Sequence, residues 1–202
     1  KRYGSEWILR NISTEFHINE SYAILGDNGS GKSSLLKLIS GFLEPTEGNV
    51  FIYNNDYINI ENYYEYISMA TPSIQFDLDL TLEEFLTIHF ELKGYKKNNR
   101  KKLKEFIDKV GFENDLKKLL KYFSSGMKQR LKLGTSLLDD TYILLLDEPL
   151  MHLDKNGIAL YDSLLKEAKK DKIILIFSNY RKEEYVHCNN ILYINDRKLT
   201  VD

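Results

Sequence analysis

The sequence predicts an α/β fold: a mainly parallel sheet core with an antiparallel β element in its N-terminal half and a helical subdomain. Three observations lead there. Two runs that are apolar throughout, Tyr142–Leu146 and Ile173–Phe177, flank a helical segment at Ile158–Lys170. That is the pattern of parallel strands buried on both faces. A short apolar strand, Tyr22–Leu25, runs straight into a glycine-rich turn and then a helix at Lys32–Ser40. Between Thr81 and Tyr122 apolar residues recur at helical spacing instead.

In chain order, Trp7–Ile24 alternates apolar with polar residues (Ile8, Ile12, Phe16, Ile18, Tyr22, Ile24), which predicts half-buried strands. The helix at Lys32–Ser40 buries Leu35, Leu36, Leu38 and Ile39 and stops at Gly41. Gly48–Tyr53 is a further strand candidate. Leu82, Phe85, Leu86, Ile88, His89 and Leu92 share a helical face, with Thr81 as N-cap and Glu84 three residues on. Leu103, Phe106, Ile107 and Val110 repeat that pattern, and Ser125–Leu138 is another helix. Asn190–Ile194 and Lys198–Val201 close the chain as a hairpin around Asn195–Arg197. One domain over 1–202 is expected, with the helical subdomain at about 80–140 and the core at about 1–79 and 141–202, close to the usual span of roughly 150 residues per domain.

Composition excludes several classes. Apolar residues make up 43% and charged residues 29% of the 202, ordinary for a folded chain and unlike collagen or disordered sequence. Lys plus Arg is 28 against 30 Asp plus Glu, a net charge of −2, so no bulk electrostatic attraction to nucleic acid is expected. No apolar run approaches the roughly 18–20 residues of a membrane span. The single cysteine, Cys188, excludes an intrachain disulfide and fits a reducing compartment. No secretory signal opens the chain, and its start at Lys1 without Met leads to the expectation that the first natural residues are absent. The basic run from Lys93 through Lys96, Lys97, Arg100, Lys101 and Lys102 to Lys104 reads as a solvated loop. Tyr53, Tyr57, Tyr63, Tyr64 and Tyr66 lack interleaved basic residues and read as packing rather than base stacking.

Two motifs carry chemistry. Gly26-Asp27-Asn28-Gly29-Ser30-Gly31-Lys32-Ser33 matches G-x-x-x-x-G-K-[ST] between a strand and a helix. Its glycines let backbone N–H groups turn inward around phosphate oxygens, and the helix N-terminus adds partial positive charge. Asn28, Gly29, Ser30, Gly31, Lys32, Ser33 and Ser34 are therefore the nucleotide-binding candidates. Lys32 reaches the β- and γ-phosphates, and Ser33 offers its hydroxyl to Mg²⁺. The second motif is Ile143–Leu146 followed by Asp147 and Glu148, a buried strand ending in two carboxylates at the edge where α/β ligand sites lie. Asp147 is the Mg²⁺ candidate. Glu148 is placed to orient or deprotonate a water. His17, His89, His152 and His187 are scattered, so no other metal is expected.

With Phe123-Ser124-Ser125-Gly126-Met127-Lys128-Gln129-Arg130 between those motifs, the chain resembles the ATP-binding cassette (ABC) ATPases of the P-loop NTPase superfamily. Ser124 and Gly126 match the family's signature, whereas Phe123, Ser125 and Met127 depart from it. Pro149 after the acidic pair, Leu153-Asp154 as the D-loop, Tyr3 as the aromatic that stacks on adenine and Glu44-Pro45-Thr46-Glu47-Gly48 also resemble the family. The resemblance runs along essentially the whole chain, save an extreme N-terminal strand.

The resemblance implies an ABC-type ATPase domain that binds ATP and Mg²⁺. It works as a head-to-tail dimer, with a homodimer expected, and each ATP is sandwiched between one subunit's phosphate loop and the signature residues Ser124 and Gly126 of the other, with Asp154 a further nucleotide-binding candidate. It further implies a separate transmembrane permease energised by Mg-dependent hydrolysis, a cytoplasmic position at the inner face of the membrane, and no nucleic-acid partner. The style of the signature leans to exporter-type cassettes. Alternatives are a soluble ABC ATPase acting on ribosome or DNA and a catalytically weak regulatory cassette. Three departures bear on the last. The Mg²⁺-contacting glutamine of the family falls near Pro72, with Gln75 three residues late. Asn179 follows Ser178 where the family carries the histidine that clamps the γ-phosphate, so Asn179 donates a hydrogen bond without a charge. Met127 replaces the signature glutamine. Glu148, Lys32 and Asn179 are the catalytic candidates, and Ser33, Asp147 and Gln75 the metal candidates.

Overall fold

The computed structural model describes residues 1–95 and 99–201. Lys96 and Lys97 of the basic run lie outside them. The elements in chain order are β1 (Arg2–Tyr3), β2 (Glu6–Trp7), β3 (Ser21–Leu25), α1 (Lys32–Ile39), β4 (Tyr53–Asn54), β5 (Asp56–Tyr57), α2 (Tyr63–Tyr66), β6 (Ile67–Ala70), α3 (Leu82–Leu92), α4 (Asn99–Val110), α5 (Ser125–Leu138), β7 (Ile143–Asp147), α6 (Lys155–Ala168), β8 (Ile173–Ser178), α7 (Lys182–Tyr185), β9 (Asn190–Asn195) and β10 (Lys198–Val201).

Packing divides the chain into two compact units. The first comprises Lys1–Met69, Thr141–Pro149 and the chain from Lys169 onward. Its centre is a six-stranded sheet in the order β10-β9-β3-β8-β7-β6. The β9–β3, β3–β8 and β8–β7 pairs are parallel, and β10 pairs antiparallel with β9 in the expected hairpin. Ile24, Leu145, Leu175, Phe177 and Leu192 face a core that includes Leu35, Leu36 and Leu38 of α1. The alternate residues Ala23, Leu144, Leu146 and Ile176 are equally buried. Both faces are therefore covered, which is why these strands read as uninterrupted apolar runs. Two small antiparallel pairs, β1–β2 and β4–β5, lie outside this sheet.

The strands expected over Trp7–Ile24 and Gly48–Tyr53 form only at their ends. Between Trp7 and Ser21 the chain lies on the core through Ile8, Ile12 and Phe16 without a ladder. Asn11 and Asn19 adopt φ values of 52° and 65°, which break an extended run. Val50 and Ile52 also rest on the core. There the Tyr63 hydroxyl accepts from the Ile52 N–H at 3.2 Å and donates to the Val50 carbonyl at 3.3 Å, in place of a neighbouring strand. Period-two alternation reports one-sided burial, and a ladder is only one way to achieve it.

The second unit comprises Ala70–Asp140 and Leu150–Ala168. Its start at Ala70 and its inclusion of α6, which packs on α5, give it a wider span than about 80–140. α3 opens with the capping box expected at Thr81: the Glu84 N–H donates to the Thr81 hydroxyl at 3.3 Å, and the Thr81 N–H donates to the Glu84 carboxylate at 2.8 Å. The Thr81 N–H bond, and after it a bond that the Thr81 hydroxyl donates to the same carboxylate at 2.7 Å, hold the Glu84 carboxyl below its usual range. The core is aromatic: Phe106 meets Phe90 and Phe112, and Phe112 stacks on Phe123 at 5.5 Å. Gly134 lets α4 and α5 approach, since a Cβ there would lie 2.7 Å from Phe106. No helix among the described residues is long and apolar enough to cross a membrane.

Candidate functional site

Sheet register assembles the site in the first unit. Leu25 of β3 pairs with Ser178 of β8, and Asp147 of β7 pairs with Phe177 of the same strand. Three parallel strands thus end at one edge. Each then releases a candidate: β3 the loop from Gly26 to Lys32, β7 Asp147 and Glu148, β8 Asn179. A parallel sheet with aligned carboxyl ends collects its functional loops at that edge.

The phosphate loop is closely shaped. Gly31, the N-cap of α1, has φ 108°, and Gly29 has φ 83°, both in the left-handed region that favours glycine. A Cβ at Gly31 would also come within 2.8 Å of Leu9. Lys32 is buried, and its Nζ donates to the carbonyls of Gly26 at 2.6 Å and Asp27 at 2.9 Å. The loop therefore fixes the ammonium before any phosphate arrives. The hydroxyl of Ser30 is buried without a hydrogen-bond partner, a polar group facing into the fold of the loop. Asn28 and Ser33 are exposed, and Ser34 is partly buried.

The Ser33 hydroxyl stands 3.4 Å from Asp147 Oδ2 and donates to it, joining α1 to the end of β7. Asp147 is buried, and its carboxyl is pushed up to about 6. Burial is the main cause and repulsion by Glu148 the next; Lys32 and the Ser33 hydrogen bond pull the other way. Two adjacent carboxylates with a hydroxyl beside them stand at the end of a buried strand, and the nearby Lys32 and Lys37 offset only part of the cost of burying that charge. That donor set is hard and oxygen-only, and it fits Mg²⁺. Glu148 takes φ 47°, and its N–H donates to the Phe177 carbonyl at 2.9 Å, which turns the chain out of the strand at this point.

The corner after β8 is also fastened. The buried Ser178 hydroxyl donates to buried Glu184 at 2.5 Å and accepts from the Arg181 N–H at 3.2 Å. Asn179 is exposed immediately beyond. Glu184 was not among the sequence candidates, because nothing local marks one acid among Glu183 and Glu184 as the buried one. Tyr3 is half exposed in β1, with the Lys1 ammonium 5.5 Å over its ring.

The remaining candidates belong to the second unit. Ser124 is the N-cap of α5, its hydroxyl accepting from the Met127 N–H at 3.2 Å. Gly126 lies where a Cβ would stand 3.1 Å from the His152 carbonyl. Asp154 caps α6 by accepting from the Gly157 N–H at 2.8 Å. Gln75 is exposed in the loop after β6.

A family model described as ABC transporter matches residues 9–151. The uncharacterized ABC transporter ATP-binding proteins YcbN and YybJ of Bacillus subtilis (strain 168) are 32% and 31% identical to this chain. Each match takes in 98% of this chain, which spans 65% of YcbN and 91% of YybJ. Among solved structures, the ATP-binding subunit of an ABC transporter superposes with a TM-score of 0.88 at 24% identity, over 98% of this chain and 85% of that one. An ATP-binding cassette solved as a dimer in a post-hydrolysis state, bound to ADP and Pi, has a TM-score of 0.84 at 22% identity, over 100% of this chain and 94% of its own. At those identities the likeness is one of fold.

Proposed function

This chain belongs to the ABC transporter family and has the ABC ATPase fold, and on that premise we propose that residues 1–202 act as a single ABC ATPase domain that binds and hydrolyses ATP to energise a separate membrane permease. The observation that carries this reading is the shared edge of β3, β7 and β8, which gathers Lys32, the Ser33–Asp147 pair and Glu148.

The chain's own residues divide the work. Backbone N–H groups of Asn28–Ser34 and the α1 N-terminus hold the phosphates. Lys32 shifts its hydrogen bonds from loop carbonyls to β- and γ-phosphate oxygens. Ser33 and Asp147 would hold Mg²⁺, and Gln75 is the further metal candidate. When bound, that ion neutralises charge developing on the phosphate oxygens. Glu148 orients the attacking water and draws its proton, and Asn179 donates a neutral hydrogen bond to the γ-phosphate. Tyr3 stacks on the adenine. Ser124 caps α5 through its acceptor lone pair and keeps its O–H free for the γ-phosphate on a second copy, alongside Gly126 and Asp154. The dimeric assembly of a fold neighbour supports such a homodimer. The working place is the inner membrane face, exporter-type by the style of the signature. Asn179 and Pro72 favour one second reading, a weakly hydrolysing cassette that serves an active partner.

Steady-state ATPase rate against protein concentration with Mg²⁺, beside Glu148→Gln, tests this. A rate that rises faster than linearly, with a dead Glu148→Gln control, is the expected result. ATP binding with no Glu148-dependent turnover at any concentration overturns the motor reading and leaves the regulatory one.

A further inference from the structure

Lys132 sits in α5, two turns beyond Ser124. Its neighbours Leu131, Leu133, Thr135 and Ser136 are buried. Its ammonium leaves α5 for the loop after β6: Nζ donates to the Thr71 carbonyl at 3.1 Å and reaches the Pro72 carbonyl at 3.5 Å. It also stands 5.8 Å over the Phe76 ring. Burial, and then the nearby Lys128, lower its pKa. A flexible ammonium could escape to water, so holding it here is offset by these charge-assisted bonds.

The loop it grips is otherwise closed on itself. The Thr71 carbonyl accepts from the Ile74 N–H at 3.3 Å, the Thr71 and Ser73 hydroxyls share a bond of 2.7 Å, and Phe76 packs edge-on against Phe85 of α3 at 5.0 Å. Gln75 lies inside that span, between the gripped carbonyls and the gripped ring. Pro72 has no N–H and fixes its own φ, so at that position the backbone offers only an acceptor.

We propose that Lys132 is a positioning residue: it ties the helix that begins at Ser124 to the loop that carries Gln75, so that a displacement of α5 on nucleotide engagement is passed to Gln75. An α-helix is rigid over two turns, which makes α5 a lever between its capped end and Lys132. The coupling rests on the ATPase reading above; the grip itself does not.

Wild type, Lys132→Met and Lys132→Arg are compared by amide hydrogen exchange without nucleotide and by ATPase kinetics. In Lys132→Met the Ile74 amide is expected to exchange about tenfold faster, while β7 amides keep their rates. Its kcat is expected to fall about tenfold with KM for ATP held within about twofold, as for an interaction used after binding. Lys132→Arg, which keeps the charge and the donors, is expected to restore both. Unchanged exchange at 71–76, faster exchange throughout the protein, or a KM change as large as the kcat change each overturns the proposal. Absence of Glu148-dependent turnover in wild type overturns the ATPase reading instead, and the exchange at Ile74 still decides the grip.

Discussion

Asp147 meets opposed demands at one carboxylate. Ionised, it suits a divalent cation; buried beside Glu148, it holds its proton up to about pH 6 rather than the ordinary 3.8. Since the folded state binds that proton more tightly than the unfolded chain, the contribution to stability is full below about pH 4 and is lost as pH rises through about 6. Asp147→Asn is therefore expected to raise the melting temperature of the nucleotide-free protein at pH 8 by a few degrees, with the gain shrinking at pH 5. The same variant is expected to lose the extra stabilisation that Mg²⁺ gives to the ATP-bound protein. In wild type that extra stabilisation grows from pH 5 to pH 7 as the carboxyl ionises. Thermal melts at four pH values, with and without Mg-ATP, measure both; a pH-independent Mg²⁺ effect would contradict the assignment of Asp147. Lys32, Asp147 and Glu148 could be singled out in sequence as candidates because each belongs to a short motif. The Ser178–Glu184 lock and the grip of Lys132 were not, because their partners come from folding rather than spacing.

Helices were legible from their periodicity and caps, as Thr81 and Glu84 illustrate, whereas the short strands near Trp7 and Gly48 were not. Helical hydrogen bonds are local, so a pattern within one segment settles them; a strand needs a partner that its own residues do not specify. Close packing of helices is likewise hidden in sequence. Gly134 lies in the middle of α5, where Ala would ordinarily gain about 1 kcal/mol of helix stability. A Cβ there would lie 2.7 Å from Phe106 and 2.8 Å from Val110, and both side chains are buried. Overpacking of this kind costs about 1–3 kcal/mol. Gly134→Ala is expected to destabilise by about 1 kcal/mol net, read from the urea midpoint with an unchanged m-value. A raised midpoint would show that the α4–α5 contact yields.

At the scale of the whole molecule, phosphate-loop and signature candidates lie in different units: Lys32, Asp147 and Glu148 in the first, Ser124, Gly126 and Asp154 in the second. In the proposed homodimer, Ser124, which caps α5 by accepting from the Met127 N–H, directs its own O–H to the γ-phosphate held by a second copy. With ATP, Glu148→Gln is expected to double its mass by light scattering, since binding persists while the step that loosens the pair is blocked; ADP is expected to leave it monomeric. A monomer at every ATP concentration would remove the homodimer from the proposal. The sequence by itself determined the α/β class, the phosphate loop and the acidic pair, because each depends on residues a few positions apart whose backbone freedom or charge acts locally. Only the tertiary structure decided that Ser33 meets Asp147, 114 positions away, that the ends of β3, β7 and β8 share one edge, and that Lys132 reaches Thr71. Those juxtapositions arise from sheet register and side-chain packing between distant segments, which burial in a common core selects and no local pattern encodes.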